Sequence, residues 1–214
     1  SNDETLAIAR SCKETDKIRI KILERAKGDR YHIRRQELGR LYNFTNIIEN
    51  CEGRYVALLD GDDYWSDPLK LQKQVDFLEA NTDCIACHHW QKIAVGNENG
   101  GYTEVDAPTD GQGYYPIEKA DVSSIFRNDM RVKSRTLMFR NILKEFPEWF
   151  YQVAYGDVPL SMILGKHGKF GFIDEPMAVY RQTGRGVSSQ GNQEWMYTFR
   201  HYIEWIRVWE YGNN

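Results

Sequence analysis

The chain has 214 residues, 41% of them hydrophobic and 28% charged, enough apolar material for one substantial core and too little for two independent ones. Its 28 basic and 31 acidic residues interleave to a formal charge of -3, so no basic face marks the chain for nucleic acid. No apolar run reaches the length of a membrane span and the opening SNDETLAIARSCKE lacks the layout of a signal peptide, which sets the expectation of a soluble, cytoplasmic protein.

The first element predicted is a helix from about Glu4 to Lys13 behind Asp3 as N-cap. IRIKIL at 18 to 23 alternates isoleucine with charge and predicts a strand, which the GDR at 28 to 30 ends. Leu38, Leu41, Ile47 and Ile48 give one apolar face to a helix from Glu37 to Glu49 that ends near Gly53. Tyr55 to Leu59 then form an unbroken apolar run, the mark of a central strand covered on both faces, and acidic residues begin where it stops. Ser66-Asp67-Pro68 opens the next helix, which runs to Ala80 with Leu69, Leu71, Val75 and Leu78 apolar. This alternation predicts an α/β fold with a mostly parallel central sheet, flanking helices, and ligands at the carboxyl ends of the strands.

Beyond it, CIACHH holds Cys84, Cys87, His88 and His89 in a spacing that spells a haem-attachment pattern or half a zinc site. A second ligand pair is missing, and the segment reads better as a buried strand whose cysteines act as small apolar residues. With Cys12 and Cys51 the cysteines are too sparse for a disulfide scaffold and fit a reducing compartment. Val95 to Tyr115, rich in Gly, Asn, Asp and Thr, predicts a long hairpin or loop. Strands are expected at Thr136 to Phe139 and Phe170 to Ile173, and a helix at Val158 to Leu164. Trp195, Phe199, Tyr202, Ile206 and Trp209 draw an aromatic stripe down a C-terminal amphipathic helix, 191–214, appended to one domain over 1–190. Docking on the domain's own core is the first reading of that stripe; a homodimer or a peripheral membrane contact is the alternative.

Asp60, Asp62 and Asp63 stand within four positions of one another directly after the buried strand. Carboxylates that converge there repel one another, and a hard cation such as Mg²⁺ or Mn²⁺ offsets that repulsion while binding through one or two of them, water and phosphate oxygens. Such a metal invites a diphosphate. Gly61 gives the turn its freedom and Tyr64-Trp65 offers an apolar wall beside the charge. The competing reading is an acidic turn that only caps the next helix.

The segment RYVALLDGDDYWSDPLKLQKQVDFLEAN closely resembles the core of family 2 glycosyltransferases, which have the GT-A fold and an Asp-x-Asp metal motif. The resemblance continues in SNDETLAIARS, GRLYNF at 39 to 44, YGDVPLSMIL and IDEPMAVYRQTGRGVSS. It implies that Asp60 and Asp62 bridge a metal to the donor diphosphate, with Asp63, Gly39, Asn43, Arg181 and Arg185 also on the donor side. Asp157 falls on the general-base position, although a carboxylate ahead of Val158-Pro159 also reads as a helix cap. Ser134, Arg135 and Thr136 resemble an acceptor-side strand, and Trp65 is the other acceptor-side candidate.

The likeness implies an inverting transfer of sugar from a nucleotide-sugar, a UDP-sugar first, to a carbohydrate or glycolipid acceptor in polysaccharide or glycoconjugate synthesis. The protein would then be cytoplasmic or peripheral at the inner face of the membrane. Two departures stand out. Thr183 takes a place where relatives often carry histidine, and the resemblance starts after the family's first strand-helix-strand unit, so the expectation is an N-terminally truncated GT-A domain. The alternatives are a non-catalytic sugar-nucleotide or glycan-binding module, and a nucleotidyltransferase, for which a Gly-rich phosphate loop with a lysine is missing.

Overall fold

The computed structural model describes residues 4–12, 18–97, 101–105, 117–127, 130, 132–153, 155–182 and 206–211. In chain order the elements are α1 (Thr5–Ser11), α2 (Arg30–Leu38), α3 (Leu41–Glu49), β1 (Tyr55–Ala57), β2 (Tyr64–Trp65), α4 (Lys70–Ala80) and β3 (Cys84–Gly96). They continue with β4 (Tyr102–Val105), β5 (Lys119–Ala120), α5 (Val122–Phe126), β6 (Met138–Arg140), α6 (Asp157–Gly165) and β7 (Lys169–Gln182). Short 3₁₀ turns cover Ser134–Thr136 and Glu148–Gln152.

Two expectations fail before the sheet begins. The isoleucine alternation at 18 to 23 carries only an isolated bridge at Ile18, which is 57% exposed, because alternation makes a strand only where a neighbouring strand is present to pair. The GDR read as a breaker is a helix start: Asp29 caps α2 by accepting from the His32 amide at 2.7 Å. A single helix from Glu37 to Glu49 is also not what forms. Gly39, at φ 78, closes α2 in a left-handed conformation that glycine adopts without steric cost, and α3 starts afresh at Leu41.

The sheet runs β1-β6-β3-β7-β2, with β4 on β3 and β5 on β7. The α/β architecture with flanking helices stands, but the mostly parallel sheet does not: among the described residues β3 and β7 form the one parallel pair. The physical reason lies in β6. β1 and β3 flank α4 and point the same way, as the helix crossover requires, yet β6 inserts between them antiparallel to both. The helix crossover fixes the relative direction of β1 and β3 and leaves their adjacency open.

CIACHH lies in β3 as a buried strand, with Cys84 and Cys87 buried and free; desolvation pushes the Cys87 thiol up to about 12. The expected hairpin is partly present as β3 with β4, and residues 106–116 lie outside the described residues. α4 presses on β7 where Gly171 leaves room, since a Cβ there would stand 2.0 Å from the Phe77 ring. On the other side, Phe150 gathers Phe44, Phe146 and Trp149 around it. The helix at 206–211 joins this same core: Val208 is buried, Trp209 meets Phe126 and Tyr211 stacks on Trp149 at 5.9 Å. That segment therefore packs on its own domain, while Trp195, Phe199 and Tyr202 lie outside the described residues. Among the described residues no helix is long and apolar enough to cross a membrane.

Burial also lowers the imidazoles of His88 and His89 to about 4 and about 3, so both are neutral near pH 7. Each proton refused by the fold is accepted by the unfolded chain below its ordinary value of 6.5, so their contribution is complete above that pH and is lost as pH falls toward 4. Urea unfolding midpoints are expected to drop between about pH 7 and about pH 5, and His88→Phe is expected to flatten that drop.

Candidate active site

The acidic residues sit where β1 ends and the chain turns into β2. The Asp63 amide donates to the Asp60 carbonyl at 3.1 Å, closing a tight turn, and β2 then pairs with β7 through Tyr64 with Val179 and Trp65 with Ala178. This pairing carries the turn to Arg181, two residues farther along β7. Gly61 has no left-handed φ and open space about its Cβ position, so the turn does not require glycine there.

Of the three aspartates, Asp60 and Asp62 are expected on a cation with Asp63 beside them on the donor side, and the three divide. Asp63 is buried with its side chain 1% exposed; its Oδ2 accepts from Arg135 Nε and its Oδ1 from the Arg181 amide at 3.1 Å. Arg135 is held in turn by Gln91 Oε1 at 2.6 Å and lies over the Tyr180 ring at 4.3 Å. A carboxylate in so little water needs an opposite charge, and the guanidinium meets that need within the protein. Asp60 and Asp62 stay exposed. Asp60 Oδ2 accepts from Ser134 Oγ at 2.9 Å, while the Asp62 carboxylate accepts no hydrogen bond among the described residues. Correspondingly, the described residues hold no group of three or more His, Cys, Asp or Glu placed to share a metal, because Asp63 has turned inward.

The remaining expected residues fall in different places. Arg181 donates through Nε to the Asp62 carbonyl and lies 5.6 Å from the Tyr102 ring centroid, so it braces the turn. Trp65 is half-buried and donates Nε1–H to the Arg135 carbonyl at 3.1 Å. Thr136, expected on the acceptor side, is only 2% exposed and gives its hydroxyl to the Lys133 carbonyl at 2.9 Å, which leaves no surface for an acceptor. Gly39 is the terminator of α2, and the exposed Asn43 accepts from the Tyr31 hydroxyl at 2.8 Å. Asp157 is the first residue of α6, half-buried, with Gly156 as the cap; its Oδ1 accepts the Val158 amide at 3.0 Å. Arg185 and Thr183 lie outside the described residues.

Arg135 is the site residue whose role the sequence hid. It sits in the 3₁₀ turn Ser134–Thr136, 72 residues from its partner Asp63, and its neighbours in sequence gave only the thin signal of a polar strand entry.

The model of the family described as Glycosyl transferase family 2 matches residues 1–146. The chain belongs to that family. Asp60, Asp62, Asp63 and Arg135 of this family member fall inside the matched span, and Asp157 and Arg181 beyond it. Its sequence is similar to the uncharacterized proteins Rv1520 and MT1570 of Mycobacterium tuberculosis and Mb1547 of Mycobacterium bovis, at 28% identity over 165 residues. The alignment takes in 72% of this chain and 42% of each relative, so the chain spans less than half the length of these relatives. The crystal structure of Staphylococcus aureus TarS 1-349 superposes with a TM-score of 0.47 at 16% identity, over 67% of this chain and 41% of that one.

The division of labour among the aspartates has a measurable consequence. Asp63→Asn leaves Arg135 buried without its counter-charge and is expected to cost about 3–5 kcal/mol of stability. Asp62→Asn, at an exposed carboxylate, should stay within about 0.5 kcal/mol, both read from guanidinium unfolding midpoints.

Proposed function

We propose that this family 2 glycosyltransferase is an inverting, divalent-metal-dependent enzyme of the GT-A type that transfers a sugar from a nucleotide-diphosphate sugar to an acceptor hydroxyl. The observation that carries the reading is the outward pair Asp60 and Asp62 on a turn whose third carboxylate is already neutralised by Arg135. Those two carboxylates fit Mg²⁺ or Mn²⁺, which binds through one or two acid side chains and leaves its other positions to water and phosphate. Bound there, the ion would supply Lewis-acid stabilisation of the charge that builds on the departing nucleoside diphosphate.

The chain's own residues do the rest. Ser134 orients Asp60, and Arg181 ties the Asp62 carbonyl to β7, so both carboxylates are presented on a backbone braced from two sides. Asp157, with Oδ1 on the Val158 amide, keeps Oδ2 for the proton of the acceptor hydroxyl as that oxygen attacks the anomeric carbon from the face opposite the leaving group. The donor we favour is a UDP-sugar, the acceptor a carbohydrate or glycolipid, and the setting polysaccharide or glycoconjugate assembly in the cytoplasm or at the inner face of the membrane.

Incubating the protein with a panel of nucleotide sugars and Mn²⁺ is expected to release nucleoside diphosphate, to stop with excess chelator and to resume when Mn²⁺ is restored. Binding without release would instead identify a sugar-nucleotide-binding module, and pyrophosphate release a nucleotidyltransferase. Asp62→Asn is expected to abolish metal-dependent donor binding in calorimetry. Asp157→Asn should leave the donor Kd unchanged and lower kcat about 10²–10⁴-fold; transfer at the wild-type rate would reduce Asp157 to a helix-terminus residue.

A further inference from the structure

The first residue of α4, Lys70, is 1% exposed, and no carboxylate pairs with it among the described residues. A buried ammonium without a counter-charge is costly, and its place at a helix N-terminus, where the dipole is positive, adds to the cost. Two groups hold it. Gln74 Oε1 accepts from Nζ at 2.5 Å, and the Trp65 ring lies beneath Nζ at 4.4 Å from its centroid.

Both partners lead to the same place. Lysine can only donate, so it fixes the Gln74 amide with oxygen toward Nζ and nitrogen toward the Thr136 carbonyl, which Nε2 reaches at 2.9 Å. Trp65, held flat against the ammonium, points Nε1–H at the Arg135 carbonyl. The short turn Ser134–Thr136 is thus pinned through two of its carbonyls, and from it Ser134 Oγ reaches Asp60 and Arg135 reaches Asp63.

We infer that Lys70 is a positioning residue of the donor site: as an ammonium it clamps Trp65 and Gln74 onto the 134–136 turn, and that turn sets the Asp60 carboxylate for the metal and diphosphate. Its consequence in turnover rests on the proposed transferase activity. The clamp itself is a property of the fold.

Loss of the Lys70 proton weakens both contacts, since a neutral amine forfeits the attraction to the indole face and no longer dictates the Gln74 orientation. Burial lowers this lysine to about 8, within reach of ordinary assays. The groups facing it do not titrate there. His89 on β3, with His88 beside it, is neutral; the Cys87 thiol is pushed up to about 12; and Asp67, engaged by Lys73 and the Leu69 amide, is held below its ordinary value.

The test measures donor KM and kcat with Mn²⁺ from about pH 6.5 to about pH 9.5 in the wild type and in Lys70→Arg, which keeps its charge. In the wild type donor KM is expected to rise about fivefold through a break near 8, with kcat changing less, the loss of roughly one hydrogen bond's worth of order. Lys70→Arg should remove the break. A wild type without a break, or a break that survives in Lys70→Arg, overturns the inference.

Hydrogen exchange at the Thr136 and Leu137 amides, which close the turn, gives a readout that needs neither turnover nor a variant. After correction for the intrinsic pH dependence, protection in the wild type should fall between about pH 7 and about pH 9. Unchanged protection refutes the clamp. Reduced protection in a protein that releases no nucleoside diphosphate supports the clamp and refutes the transferase activity.

Discussion

The buried ion pair between Arg135 and Asp63 is the interaction on which the arrangement of this protein's site depends. It joins a turn that leaves β1 to a turn that enters β6, and through the Arg181 amide it adds β7 to the same carboxylate. Away from water neither charge is tolerable alone, so the pair admits few alternative geometries once formed. Gln91 and Tyr180 complete the surroundings of the guanidinium, which places contacts from β3 and β7 on one side chain. Two strands and two turns are therefore locked to one another where the acidic residues emerge.

That lock lets a cluster of like charges serve two purposes. Three aspartates in four positions would repel one another if all faced the same water-filled space. Turning Asp63 inward removes one charge from that competition and makes it an anchor, while Asp60 and Asp62 remain exposed on a backbone tied to β7 through Arg181. Lys70 reinforces the same turn from below through Trp65 and Gln74, with an ammonium matched to an aromatic face and an amide rather than to an acid. The aromatic core around Phe150 lies on the other side of the sheet and reaches the helix at 206–211, so this part of the apolar packing draws on side chains outside the site.

Much of this was legible in the residues. The unbroken apolar run Tyr55 to Leu59, the acids after it and the Ser-Asp-Pro start beyond them pointed to a covered strand, a loaded turn and a helix, because burial, charge and local backbone chemistry are written in neighbouring positions. The same locality explains β3, whose cysteines and histidines read as buried strand and are buried strand. Two of the failed expectations share one cause. The alternation at 18 to 23 predicts a strand and the alternation of helices with strands a mostly parallel sheet, and each depends on a partner far away in the chain.

By itself, the sequence determined the family, the α/β class, and the position of an acidic turn at a strand exit, since these follow from periodicity, capping and a long contiguous motif. Only the tertiary structure decided that β6 separates β1 from β3, that Asp63 is an anchor and not a third exposed acid, and that Lys70 and Arg135 support the turn. The physical reason is that a side chain's electrostatic role depends on which charges and how much water surround it, and here those surroundings are assembled from segments as many as 118 residues apart.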